Sequence, residues 1–207
     1  MNKFFALSIL AVGIVSQSQA VLINGSFENG PIPDYYAGGT GDTTVTGWTG
    51  INTGFEWLIP STIYGGVFGA ACDGLAIVDV ANFTNNLGGI EQTFTTTIGQ
   101  MYLLSYCAGT SNYAGRTGTG ILEISIDGNT YTNSLSNANL VIAWNTYSIP
   151  FTATQTSTTL KFINREDANT HFAFVDNASV EAVPEPATML ALSAGLAALA
   201  RKKRNKA

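Results

Sequence analysis

Residues 120–132, GILEISIDGNTYT, constrain the fold more than any other stretch of the chain. Leu122, Ile124 and Ile126 share one face of an extended segment, and Asp127-Gly128 follows where a tight hairpin needs positive backbone φ angles. The alternation returns at Tyr147, Ile149 and Phe151, and again at Leu160 and Phe162. Segments 91–97, 101–107, 120–126, 146–151, 158–163 and 172–180 are all short, rich in β-branched and aromatic residues, and bounded by turn residues. No stretch between 21 and 183 has a sustained helical period with caps. The pattern predicts an all-β fold, a two-sheet antiparallel β-sandwich.

The two ends of the chain read differently. Lys3, an apolar segment from Phe4 to Val15 and small or polar residues up to Ala20 make a secretory signal peptide over 1–20, with cleavage expected after Ala20. A membrane anchor is the alternative, but about 12 apolar residues fall short of the roughly 20 needed to span a bilayer. At the other end, Ala187–Ala200 is mostly apolar and is followed by Arg201, Lys202, Lys203, Arg204 and Lys206. As a helix this segment would rise about 21 Å, too short to span alone, although snorkelling basic side chains extend its reach. Pro184 and Pro186 separate it from the domain, and it has no polar face to suit a helix packed on a soluble core.

The order VPEP, SAGLAALA, RKKR resembles the PEP-CTERM sorting signal of bacterial exported proteins, with Pro184, Glu185 and Pro186 matching the motif itself. That resemblance makes 184–207 a sorting signal: short transmembrane helix, basic tail, transient residence in the inner membrane, removal by an exosortase-type protease, and surface or extracellular delivery in bacteria that make extracellular polysaccharide. The domain left between is 21–183. It carries thirteen acidic and three basic residues (Arg116, Lys161, Arg165), a net charge near −10 against −5 for the whole chain. Nucleic acid is therefore excluded as a partner, since phosphate binding rests on Lys and Arg.

Along the domain, LINGSFENG (22–30), GW (47–48), DGLAIVDV (73–80), GGIEQTFTTTIGQMYLLSY (88–106), TTLKFI (158–163) and VDNASV (175–180) resemble the galactose-binding-like jelly roll. They are similar to carbohydrate-binding modules and to a plant cell-wall domain family that shares the Asn-Gly-x-Phe-Glu opening. Residues 31–70 depart from the pattern, being longer and richer in Gly and Tyr than a compact module needs. The resemblance implies a structural Ca²⁺ held by Glu28 and Asp176, tying the first strand to the last. Trp48 and Trp144 sit at positions that the resemblance assigns to core packing.

Chemistry narrows the function further. Cys72 and Cys107, the only cysteines, form either a disulfide, as export permits, or two buried thiols. One histidine, His171, reads as a surface or loop-packing residue, and no Gly-x-Ser-x-Gly elbow is present. The acids are too numerous for any pair to signal a glycosidase, so the chain reads as no enzyme. Sugar binding asks for exposed aromatic faces and polar groups on loops. Tyr35, Tyr36, Trp57, Tyr64, Tyr113 and Arg116 all lie in Gly-rich segments expected to be loops, and GTSNYAGRTGT (109–119) brings Asn112, Tyr113 and Arg116 together as the leading candidates. The expected function is binding of extracellular polysaccharide. A structural or adhesion protein of the matrix is the alternative, and a polysaccharide-active enzyme a lesser one.

Overall fold

Eleven strands run antiparallel in two sheets in the computed structural model, which describes residues 22–31, 33–81 and 87–184. The signal segment, Glu185, Pro186 and the rest of the tail lie outside the described residues. In chain order the strands are β1 (Tyr35–Gly38), β2 (Thr49–Asn52), β3 (Phe55–Leu58), β4 (Ile77–Asp79), β5 (Gly88–Thr95), β6 (Met101–Thr110), β7 (Gly120–Ile126), β8 (Asn129–Leu135), β9 (Ala143–Thr152), β10 (Ser157–Asn164) and β11 (Phe174–Ala182). One sheet has the order β1-β3-β4-β11-β6-β9 and the other β2-β5-β10-β7-β8. The chain is an all-β sandwich, and the alternation that predicted it fills the space between the sheets.

Leu122, Ile124, Ile126, Ile149, Phe151, Leu160 and Phe162 all enter the main core with Trp48, Phe27, Tyr102 and Tyr106. The Asp127-Gly128 turn closes the β7–β8 hairpin with φ of 48° and 77°. Trp48 is buried as expected, its Nε1–H donating to the Asn24 carbonyl at 2.9 Å. Trp57 departs from its expected place in a loop. It lies in β3, buried, with its indole N–H on the Phe27 carbonyl at 2.8 Å.

A second core covers the outer face of the six-stranded sheet. In β3 all four residues are buried, because Phe55 and Trp57 point into the sandwich while Glu56 and Leu58 point the other way into a separate cluster. That cluster joins Leu58, Ile77 and Phe174 from the sheet to Ile63, Phe68, Ile142 and Phe172 from the loops. Trp144 packs against this outer cluster and not in the main core, with its N–H on the Ala70 carbonyl at 3.0 Å. The loop 59–76 is held down over the face by the Cys72–Cys107 disulfide to β6.

Candidate functional site

Strand register builds the floor of the site. Pairing places Ala37, Glu56, Asp79, Phe174, Gly109 and Trp144 in one row across the six strands from β1 to β9, all on the outer face. Glu56 and Asp79 are therefore direct cross-strand neighbours, and both are buried, at 4% and 0% exposure. Like charges placed so close in a dry setting resist ionising together. Burial, then the Glu56 charge, push the Asp79 carboxyl up to about 7, while two amide donors and Arg116 pull the other way. Asp79 Oδ1 accepts from the Ala81 and Ala173 amides, both at 2.9 Å, and its Oδ2 is buried without a hydrogen bond among the described residues. Burial, then the hydrogen bond that Tyr35 donates to Glu56 Oε1 at 2.7 Å, raises the Tyr35 phenol well above its usual range.

Two loops close over this floor. Each makes a single 3₁₀ turn, at Ile63–Gly65 and at Tyr113–Gly115, and each turn holds one non-glycine residue in the left-handed region, Tyr64 at φ 50° and Ala114 at φ 57°. Left-handed backbone is costly for a residue as bulky as Tyr, and here it carries the ring out of the loop. The Tyr64 ring stacks on Tyr113 with centroids 5.1 Å apart and remains 54% exposed. Beneath them Phe68 touches four rings edge-on: Tyr64, Tyr113, Phe172 and Phe174. Among these groups lies a cavity of about 20 Å³, lined by Tyr35, Glu56, Tyr64, Phe68, Tyr113 and Phe172 with Leu58, Ile63 and Ala114.

The expected trio from 109–119 is divided three ways. Asn112 lines a different depression, an open groove of about 640 Å³ bounded by Asn137–Ala143, and its Nδ2 donates to the Ala138 carbonyl at 2.5 Å. Tyr113, the next residue, faces the cavity, half-buried in the outer cluster. Arg116 is buried at 6% exposure, its guanidinium 4.1 Å from the centre of the Phe172 ring. It is a packed cation–π group and no open sugar contact. His171 is also fully buried, paired through Nε2 with Asn164 at 2.8 Å, which corrects the surface reading and keeps the loop-packing one. Burial holds its imidazole below the usual histidine range.

Sequence reasoning passed over Glu56 and Asp79. Each is a single acid inside an apolar run, FEWLI and AIVDV, and a lone carboxylate in a strand buried on both faces was the available signal.

Glu28 and Asp176, assigned to calcium by resemblance, do converge on one loop. Glu28 Oε1 accepts the amides of Leu75 and Ala76 at 2.8 and 2.9 Å. Asp176 takes the Asp73 amide on Oδ2 at 2.8 Å and the Asn177 amide on Oδ1 at 2.6 Å. Burial raises the Asp176 carboxyl to about 7. Gly74 follows at φ 61°, where a Cβ would collide with the Glu28 carboxylate. Calcium takes six to eight oxygen ligands, whereas three of these four carboxylate oxygens already receive N–H groups. No group of three or more His, Cys, Asp or Glu able to hold a metal occurs among the described residues. As arranged, the pair clamps the amides of the loop 73–76 and of Asn177, and each carboxylate oxygen keeps lone pairs beyond those bonds.

A two-sheet β-sandwich with an aromatic cluster on one outer face, carried on a chain with a C-terminal sorting motif, defines an exported jelly-roll protein. The chain belongs to the family described as "Protein of unknown function (DUF642)", whose model matches residues 20–181. Residues 182–204 match the PEP-CTERM protein-sorting motif. The motif marks an exosortase-processed, exported protein that reaches the cell surface or extracellular space. No curated protein matches the chain. Among solved structures it is similar to the Stig cyclase FisC of Fischerella sp. TAU, with 17% identity over 81% of this chain and 99% of the other, and a TM-score of 0.52. It also aligns with the CBM22-1 xylan-binding domain of Paenibacillus barcinonensis Xyn10C, at 13% identity, 82% and 99% coverage and a TM-score of 0.48. The module TmCBM61 in complex with β-1,4-galactotriose aligns at 16% identity, 79% and 98% coverage and 0.44. The likeness to the cyclase extends to the fold alone.

Proposed function

We propose that the mature domain is a non-catalytic module that binds extracellular polysaccharide on the outer face of the six-stranded sheet, where Tyr64 and Tyr113 stack. One observation carries the reading: a strained backbone at Tyr64 presents an aromatic face to solvent above a buried carboxylate. Sugar rings lay their C–H faces on such rings, and Glu56 and Tyr35 lie below to meet a polar substituent. The open groove beside Asn112 continues the surface along which a polymer would run.

Catalysis is not favoured by the same geometry. Glycosidic cleavage needs two carboxylates about 5–10 Å apart with the scissile bond between them, whereas Glu56 and Asp79 are adjacent strand partners beside a cavity of about 20 Å³. The competing reading, a structural or adhesion protein of the matrix, draws on the packing roles of Tyr113 and Arg116. A pull-down with polysaccharide from the producing bacterium, repeated with Tyr64→Ala, separates them: retention lost in the variant supports binding here, and no retention of wild type favours the structural role.

A further inference from the structure

The charges around the cavity do not balance. Residues 22–184 contain three basic side chains. Lys161 is paired with Glu91 at 2.8 Å and Arg165 with Glu123 at 2.6 Å, both on the five-stranded sheet. Arg116 is thus the single basic residue at the outer cluster, facing two buried carboxylates, Glu56 and Asp79. His171, neutral through burial, adds no charge near neutral pH. With both acids ionised, two buried carboxylates against one guanidinium would leave one negative charge in excess, which burial strongly disfavours. A proton on the carboxylate pair is one remedy, and a cation in the cavity is the other.

The cavity suits one kind of cation. Its volume of about 20 Å³ admits a single water-sized group, since one such group needs roughly 10–15 Å³ by the same measure. A primary ammonium, –NH₃⁺, has that size. Its surroundings are five aromatic rings and one carboxylate, Glu56, and aromatic rings together with an acid attract an ammonium group. Asp79, the strand partner of Glu56, adds to the field from behind the wall. Tyr64 stands exposed at the mouth to carry the ring that bears the amine.

We propose that this cavity takes the protonated amino group of an amino sugar within a polysaccharide. The inference rests on the sugar-binding reading above and names its substrate class. Binding displaces the proton held by the Glu56–Asp79 pair, so affinity for an ammonium of fixed charge rises with pH. With Asp79 titrating at about 7, the gain between pH 6 and pH 8 is about tenfold by proton linkage. The groups facing the pair are Tyr35 from β1, Tyr64 and Tyr113 from the two loops, and Arg116, beside which lie Asp167 and His171. Of these, Asp167 is ionised across that window, its carboxyl held low by the Asn169 amide, and burial lowers the His171 imidazole below its ordinary range.

The test titrates the mature domain with tetramers of glucosamine, N-acetylglucosamine and glucose, with tetralysine, and with methylammonium from pH 6 to 8, following chemical shifts. The expected result is at least tenfold tighter binding of the glucosamine tetramer than of the other two sugars. That preference is lost in Glu56→Gln, and the pH dependence for methylammonium is lost in Asp79→Asn, which also serves should Glu56→Gln fail to fold. Equal binding of all three sugars, unchanged by Glu56→Gln, overturns the ammonium pocket and leaves the sugar reading standing. Tetralysine binding as tightly as the glucosamine tetramer overturns the amino-sugar source. Methylammonium binding with no sugar bound overturns the sugar reading, and no binding of any probe overturns both.

Discussion

Replacing Asp79 with Asn is expected to leave the domain as stable as wild type near pH 4 and more stable at pH 8. Asn keeps an Oδ1 acceptor for the Ala81 and Ala173 amides, and its NH₂ falls where Oδ2 now accepts no hydrogen bond. It therefore imitates the protonated acid. The sign follows from the folded carboxyl titrating at about 7 against the ordinary 3.8. Between those values the native state holds a proton that the unfolded chain has released, so stability falls as pH rises from about 4 to about 7 and is level beyond. At roughly 1.4 kcal/mol for each tenfold change, the loss by pH 8 is at most about 4 kcal/mol. Asp176, also raised to about 7, adds a fall of the same sign. His171, lowered by burial, acts oppositely at the acid end, its contribution being lost as pH falls below 6.5. The difference between Asp79→Asn and wild type isolates one group. Urea melts at pH 4, 5, 6, 7 and 8 measure it. A variant-minus-wild-type difference that does not change with pH, or one that favours wild type at pH 8, would refute the buried-pair account.

Reducing or replacing the Cys72–Cys107 bridge, which closes 35 residues of separation, is expected to lower stability by about 4 kcal/mol in the chain-entropy model, read from urea midpoints of the Cys72→Ser, Cys107→Ser double variant. A drop under 1 kcal/mol would show that loop 59–76 holds its place by packing alone. If Glu28 and Asp176 hold calcium, chelation is expected to lower the melting temperature of the metal-loaded domain and Glu28→Gln and Asp176→Asn to blunt that fall; a melt indifferent to chelator would leave the two carboxylates as a clamp on loop amides alone. Mass spectrometry of the exported protein is expected to give a start at Val21 and loss of the segment from Ala187 onward, and an intact Ala207 terminus on surface protein would contradict processing.

The sandwich was legible because period-two alternation survives wherever one strand face meets the main core. Leu122, Ile124 and Ile126 and their counterparts in β9 and β10 all fall there. Alternation fails where both faces are buried, so β3 and β4 gave no such signal, and Trp57 in a Gly-rich region read as a loop residue. The stretch 31–70 hides three four-residue strands and the turn that raises Tyr64. Arg116 sits among glycines and reads as exposed; only the fold brings Phe172 beneath it. The Glu56–Asp79 pair depends on cross-strand register between segments 23 residues apart, which local sequence does not encode.

The most direct test of the central claim is the affinity of the mature domain for polysaccharide isolated from the producing bacterium, measured for wild type, Tyr64→Ala and Tyr113→Ala by affinity electrophoresis. The account predicts that wild type is retarded and that each variant weakens binding about five- to tenfold, as loss of one stacking contact of order 1 kcal/mol requires, with Tyr64→Ala folding normally because its ring is exposed. Retardation identical in wild type and Tyr64→Ala would contradict it.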